Sequence, residues 1–206
     1  MAENGNNIAV LASTNATDLE GVIQAIKDGK LDVNIKILIA NKECGAVEKA
    51  KKHNIPYIII PSKGKEREDF DKEVAKVIDE NDVKLVLMIG YMRIVTPWFV
   101  NKYENKMMNI HPSLLPAFGG GMDKNVHQDV LDYGCKVTGC TLHFVTEEAD
   151  EGPIIVQKAV KIEEDDTVDS LKEKVQASEM ESFVEAIDLF FKGKIKVEGR
   201  VVRIEQ

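Results

Sequence analysis

Short apolar runs alternate with helix-period segments along the first half of the chain. Residues 8–11 are four apolar positions in a row. A polar turn follows, and then Leu19, Val22, Ile23 and Ile26 fall at i, i+3, i+4 and i+7, one face of a helix. Thr17 or Asp18 is placed to cap that helix and Gly29 to end it. Residues 35–39 predict a second strand, 45–53 a second helix, and 57–60, bracketed by Pro56 and Pro61, a third strand. Between 66 and 80 the apolar face of a third helix is carried by Phe70, Val74, Val77 and Ile78. Residues 84–89 form a continuous aliphatic run, as in a strand buried on both faces of a parallel sheet. Residues 107–110 predict another strand. This alternation predicts an α/β fold, a Rossmann-like, mostly parallel sheet with helices on both faces.

The pattern changes after His111. Residues 113–121 are rich in Pro and Gly and read as a loop, and 126–133 as a short helix ended by Gly134. Two long strands, 135–145 and 154–162, are expected to pair antiparallel across a loop at 146–153. Residues 167–191 predict a helix started by Asp169, or by Thr167 with Ser170, and 195–204 a short closing strand. No repeat or low-complexity linker divides the chain, so 1–206 is expected to be a single domain.

Composition narrows the class. With 44% apolar and 30% charged residues the 206-residue chain is expected to fold around a core. No apolar run approaches the roughly 20 residues of a membrane helix, and residues 1–7 do not read as a signal peptide. A net charge of −8 argues against a broad grip on nucleic acid. Three cysteines, Cys44, Cys135 and Cys140, form no CxxC pair and read as free thiols used for packing in a cytoplasmic protein.

Ligands of open α/β sheets bind at the carboxyl ends of strands, and three such places carry candidate chemistry. The turn 12–18 precedes a helix whose first N–H groups could hold an anion such as phosphate. It has neither glycine nor a P-loop lysine, and an ordinary helix start fits it equally well. Asn109 and His111 follow a strand directly. Of the other histidines, His53 reads as a surface helix end, His127 as part of an exposed helix, and His143 as a packed or supporting residue in a strand. The acid-rich loop 146–153 could place a carboxylate beside an imidazole, fixing its tautomer, though spacing does not say which acid. Arg93, one of four arginines, ends the central strand and could hold a carboxylate, a phosphate or an internal acid.

Three segments together resemble the phosphoribosylglycinamide formyltransferase family: Asn109-Ile-His-Pro-Ser-Leu-Leu-Pro116, Gly90-Tyr-Met-Arg-Ile94 and His143-Phe-Val-Thr-Glu-Glu-Ala-Asp150-Glu-Gly-Pro-Ile154. The likeness keeps its order over about residues 8–192. It implies the formyltransferase fold, with a phosphate-binding half at 1–110 and a folate-facing half with its long helix at 111–206. Asn109, His111 and Asp150 match the catalytic trio. Met92, Arg93, Ile94 and Val95 match the segment whose backbone holds the pterin. Thr146, Glu147, Glu148, Ala149 and Asp150 match the loop that closes on it, with Asn109 facing the same folate. Arg67 matches an arginine associated with the folate's glutamate tail. Ala16, Thr17 and Asp18 match the loop that binds the substrate phosphate, and Glu179 an acid that bonds the ribose hydroxyls.

The activity so implied is formyl transfer from 10-formyltetrahydrofolate, a co-substrate, to the amine of 5'-phosphoribosylglycinamide in purine biosynthesis, without a metal. A tetrahedral oxyanion would be stabilised by Asn109 and protonated His111, with Asp150 keeping His111 charged. The implied partners are these two small molecules, with no nucleic acid and no membrane, in a monomer or homodimer. Alternatives are a 10-formyltetrahydrofolate hydrolase, a formyltransferase for another amine such as initiator tRNA, and a non-catalytic folate- or nucleotide-binding module. The sequence departs from the family twice. The phosphate loop commonly reads Ser-Gly-x-Gly-Ser/Thr-Asn-Leu and here reads Ser13-Thr-Asn-Ala-Thr-Asp-Leu19, without glycine and with Asp18 for Asn. The segment 118–123 is longer and richer in glycine than usual, which fits either a gating loop or a tolerated insertion.

Overall fold

The first five strands are β1 (Asn7–Ala12), β2 (Asn34–Ala40), β3 (Tyr57–Ile59), β4 (Leu85–Met88) and β5 (Met107–His111), all parallel. The apolar runs of β1 and β4 are unbroken because both faces are covered. Ile8, Val10, Leu85 and Leu87 point to one side, where α1 (Leu19–Lys27) and α2 (Gly45–Lys52) pack. Ala9, Leu11, Val86 and Met88 point to the other, against α3 (Arg67–Glu80) and α4 (Pro97–Lys102). The computed structural model describes residues 5–120 and 125–205. Of the glycine-rich segment 118–123, residues 121–123 therefore lie outside the described residues.

After α5 (Val126–Asp132), β6 (Val137–Phe144) pairs antiparallel with β5, and β7 (Ile154–Lys161) antiparallel with β6. The long α6 (Val168–Phe191) lays Phe183, Ala186 and Ile187 on the face already covered by α1. Residues 195–204, expected as one strand, form a hairpin instead: β8 (Ile195–Glu198) and β9 (Val201–Ile204) turn at Gly199, whose φ of +60° suits glycine. Among the described residues the nine strands make one sheet in the order β3-β2-β1-β4-β5-β6-β7-β9-β8. No described helix is long and apolar enough to cross a membrane.

Two helix starts differ from each other in how they are closed. Neither Thr17 nor Asp18 caps α1, against the sequence expectation: Asp18 stands at the N-cap position in helical geometry, and its side chain makes no capping bond. By contrast α6 begins with a reciprocal pair. Thr167 Oγ1 accepts from the Ser170 N–H at 3.2 Å, and Ser170 Oγ accepts from the Thr167 N–H at 2.9 Å. Thr167→Ala is expected to cost about 1 kcal/mol, read as a lower urea midpoint at unchanged slope.

Candidate active site

Strand order reverses at β1, which has β2 on one side and β4 on the other. The crevice at the carboxyl ends of β1 and β4 is where open α/β sheets hold ligands. Two chain segments leave the sheet there and are stitched together. The Ser13 N–H donates to the Gly90 carbonyl at 2.9 Å, the Met92 N–H donates to Ser13 Oγ at 3.0 Å, and Thr14 Oγ1 donates to the Gly90 carbonyl at 3.2 Å. A Cβ on Gly90 would collide with Thr14 Oγ1, so the approach requires glycine. The loop 13–18 manages without glycine: Ala16 is buried at φ +44°, a conformation an L residue adopts at a cost of about 1–2 kcal/mol.

Asn109 and His111 are two apart on β5 and share a face. Strand pairing sets Asn109 between Met88 and His143, and His111 opposite Thr141. His143 Nδ1 donates to the Phe144 carbonyl at 2.8 Å, so its Nε2 is the bare nitrogen that accepts from Asn109 Nδ2 at 3.4 Å. Burial pulls the His143 pKa down, in keeping with that neutral tautomer. The bond orients the Asn109 amide and leaves its second N–H for a ligand. The chain beyond His111 is held from β6 and β7. Thr141 Oγ1 donates to the Ser113 carbonyl at 2.7 Å, and Gln157 Nε2 donates to the Leu115 carbonyl at 3.0 Å.

Asp150 arrives from the β6–β7 loop at φ +59°, with Gly152 so close to β6 that a Cβ there would overlap the Phe144 carbonyl oxygen. Strain of this kind is concentrated at functional sites. Asp150 Oδ2 is 3.3 Å from His111 Nδ1, while His111 Nε2 is 3.0 Å from the Phe118 carbonyl oxygen. An ionised carboxylate and a carbonyl only accept, so the imidazole satisfies both as the cation with an N–H on each nitrogen. The hydrogen bond from His111, helped by the Gly120 N–H at 3.0 Å, holds the Asp150 carboxyl down at about 2. Asp150 Oδ1 is 3.9 Å from His143 Nε2.

A cavity of about 280 Å³ opens on this group. Its walls gather most of the residues expected at a folate: Arg93, Ile94 and Val95 on one side, and Thr146, Glu147, Glu148, Ala149 and Asp150 on the other, with Asn109 and His143 between. Arg93 stacks on the Phe70 ring at 4.2 Å. Met92 is exposed and does not line the cavity, and Arg67 donates from Nη2 to the Ile94 carbonyl at 3.0 Å, outside the lining. His111 is 6% exposed and reaches the cavity through Asp150.

A second cavity of about 590 Å³ lies on the other side of Gly90, at the start of α1. Ala16, Thr17 and Asp18 line it, and so do Lys42, Lys172 and Gln176, which sequence reasoning did not single out. The signal available for the last two was spacing: 172, 176 and 179 fall at i, i+4 and i+7, one face of α6. Glu179 itself does not line this cavity. It is buried beside Asp18.

The other histidines and the thiols divide. His127, expected on an exposed helix, is 9% exposed, because α5 packs onto β6 and α6 through Val126 and Val130. His53 bonds Glu20 at 3.0 Å at the end of α2. Cys140 is buried beside Ser182, and burial pushes its thiol up to about 11. No group of three or more His, Cys, Asp or Glu among the described residues is placed to hold a metal ion.

Comparison with known proteins places the chain in a family. The formyl transferase family model matches residues 6–187. Phosphoribosylglycinamide formyltransferase of Escherichia coli (strain K12) is 34% identical over 193 residues, 93% of this chain and 90% of that protein. The trifunctional purine biosynthetic protein adenosine-3 of Bos taurus is 40% identical over 198 residues, and there the chain spans only 19% of the relative's length. The crystal structure of glycinamide ribonucleotide transformylase 1 from Symbiobacterium toebii superposes with a TM-score of 0.92 at 36% identity, covering 97% of this chain and 94% of that one. On the family match and the near full-length bacterial relative, this chain belongs to the formyl transferase family, among the phosphoribosylglycinamide formyltransferases.

Proposed function

We propose that the protein transfers the formyl group of 10-formyltetrahydrofolate to the amine of 5'-phosphoribosylglycinamide. The observation that carries this reading is the position of Asn109, His111 and Asp150 beside the cavity at 91–95, with the cavity at 13–18 just across Gly90. In this reading the folate's pterin lies along Arg93, Ile94 and Val95, and the acceptor's phosphate lies at Ala16, Thr17 and Asp18.

The acceptor amine attacks the formyl carbon on N10, forming a C–N bond and turning the carbonyl into an oxyanion. Asn109 Nδ2 donates its remaining N–H to that oxygen. His111 supplies the neighbouring positive charge and passes a proton to N10 as the C–N10 bond breaks and tetrahydrofolate leaves. Asp150, ionised before the attack, orients the His111 ring, takes the amine's proton directly or through a water, and hands it on to His111 to replace the one given to N10. His143 holds the Asn109 amide in its donating orientation.

The test is tetrahydrofolate release from 10-formyltetrahydrofolate with and without phosphoribosylglycinamide. Release that requires the amine is the expected result. Release without it would make the protein a hydrolase. No release while folate still binds would point to another acceptor or to a binding module.

A further inference from the structure

The acceptor cavity rests on a pair of buried carboxyl groups that take no part in the proposed proton transfers. Asp18 is 7% exposed and Glu179 is 6% exposed, and the two carboxyl groups lie side by side. Two carboxylates buried together cannot both stay ionised without a large cost, so the pair keeps a proton. Asp18 also lines the cavity, and its Oδ1 is buried with no hydrogen-bond partner among the described residues. Its side chain leaves its own helix uncapped to make this contact.

We infer that Asp18 and Glu179 hold one proton between them in the empty site, and that a sugar phosphate entering the cavity beside Asp18 binds together with a further proton. This rests on reading that cavity as the phosphate site. A phosphate monoester is largely a dianion above about pH 6. Set against Asp18, it makes even the pair's one negative charge costly, and a further proton on Asp18 relieves that cost.

The groups facing the pair come from three elements. Lys172 of α6 acts on Glu179, Lys49 of α2 on Asp18, and the Cys140 thiol of β6 lies close enough to feel both acids. Lys172 in turn faces His127 of α5. The two lysines do not cancel the burial: desolvation is the largest influence on both acids, lifting Asp18 to about 6 and Glu179 well above the carboxylate range. Groups so raised stabilise the fold below the ordinary carboxylate range, and that contribution is lost as pH climbs through about 6. The thermal midpoint of Asp18→Asn should therefore gain on that of the wild type between pH 5 and pH 8.

The experiment is calorimetric titration with ribose 5-phosphate, which has no amine to titrate, in two buffers of different ionisation enthalpy. At pH 7 the wild type should take up about half a proton or more per phosphate bound, and its Kd should rise about tenfold from pH 6.5 to 8. Asp18→Asn should take up close to none, with a Kd that moves less than about twofold. Binding by the wild type without proton uptake, or equal uptake by wild type and Asp18→Asn, would overturn the inference and leave the phosphate site standing. No binding of ribose 5-phosphate at pH 6.5 would remove the phosphate site itself, and the inference with it. The wild-type measurement decides the matter even if a variant does not fold.

Discussion

His111→Ala is expected to lower kcat by about 10³ with both substrates saturating, within the usual range for a positioned general acid. In the proposed mechanism the side chain does two things at once: it puts a positive charge beside the oxyanion and provides the proton for N10. Removing it leaves Asp150, among the described residues, with the Gly120 N–H at 3.0 Å, so the carboxyl loses the first cause of its low pKa and rises toward the ordinary range. The pH profile of the residual rate should therefore change as well as its size. Asp150 stays ionised at neutral pH in either protein, and the loss there is one of catalysis. A kcat within tenfold of wild type would take His111 out of the reaction.

Asn109→Ala is expected to lower kcat by about 10² to 10³, roughly 2.7–4 kcal/mol of transition-state stabilisation, the usual effect of losing one oxyanion donor. KM for either substrate should move much less, because the hydrogen bond is made to charge that exists only during the reaction. Asn109→Asp separates donation from shape. It keeps the size of the side chain but offers only acceptors to the oxyanion and to His143 Nε2, so it should be at least as slow as the alanine variant. If Asn109→Asp proved faster than Asn109→Ala, the amide would be filling space and not donating.

The parallel part of the sheet was legible because burial on both faces leaves unbroken apolar runs, and the larger helices because their period is long enough to register. The fold was harder to read where an element is short or half-exposed. α4 has only six residues, and its signals were present but local: Thr96 accepts from the Phe99 N–H and Pro97 opens the first turn. The hairpin at 195–204 reads as a single strand because its residues are largely half-exposed or exposed and only Gly199 marks the turn. In the site, Asn109 and His111 could be read from the strand that carries them. The Asp150 contact could not, since loop closure rather than spacing brings it to His111. The Asp18–Glu179 contact and the burial of His127 join elements far apart in the chain, and neither acids nor histidines announce such partners locally.

The stitch between Ser13, Gly90 and Met92 governs how the two substrate cradles vary. Both hang from adjacent strands, and the bonds joining them are made by backbone atoms and two hydroxyls at the strand ends. In the proposed reading the gap between nucleophile and formyl carbon is thus set by the spacing of a β-ladder, a dimension that side-chain replacements away from Ser13, Thr14 and Gly90 leave alone. Residues 15–18 can then differ in sequence, even to the point of lacking glycine, while the reach from one reactant to the other stays at factory tolerance.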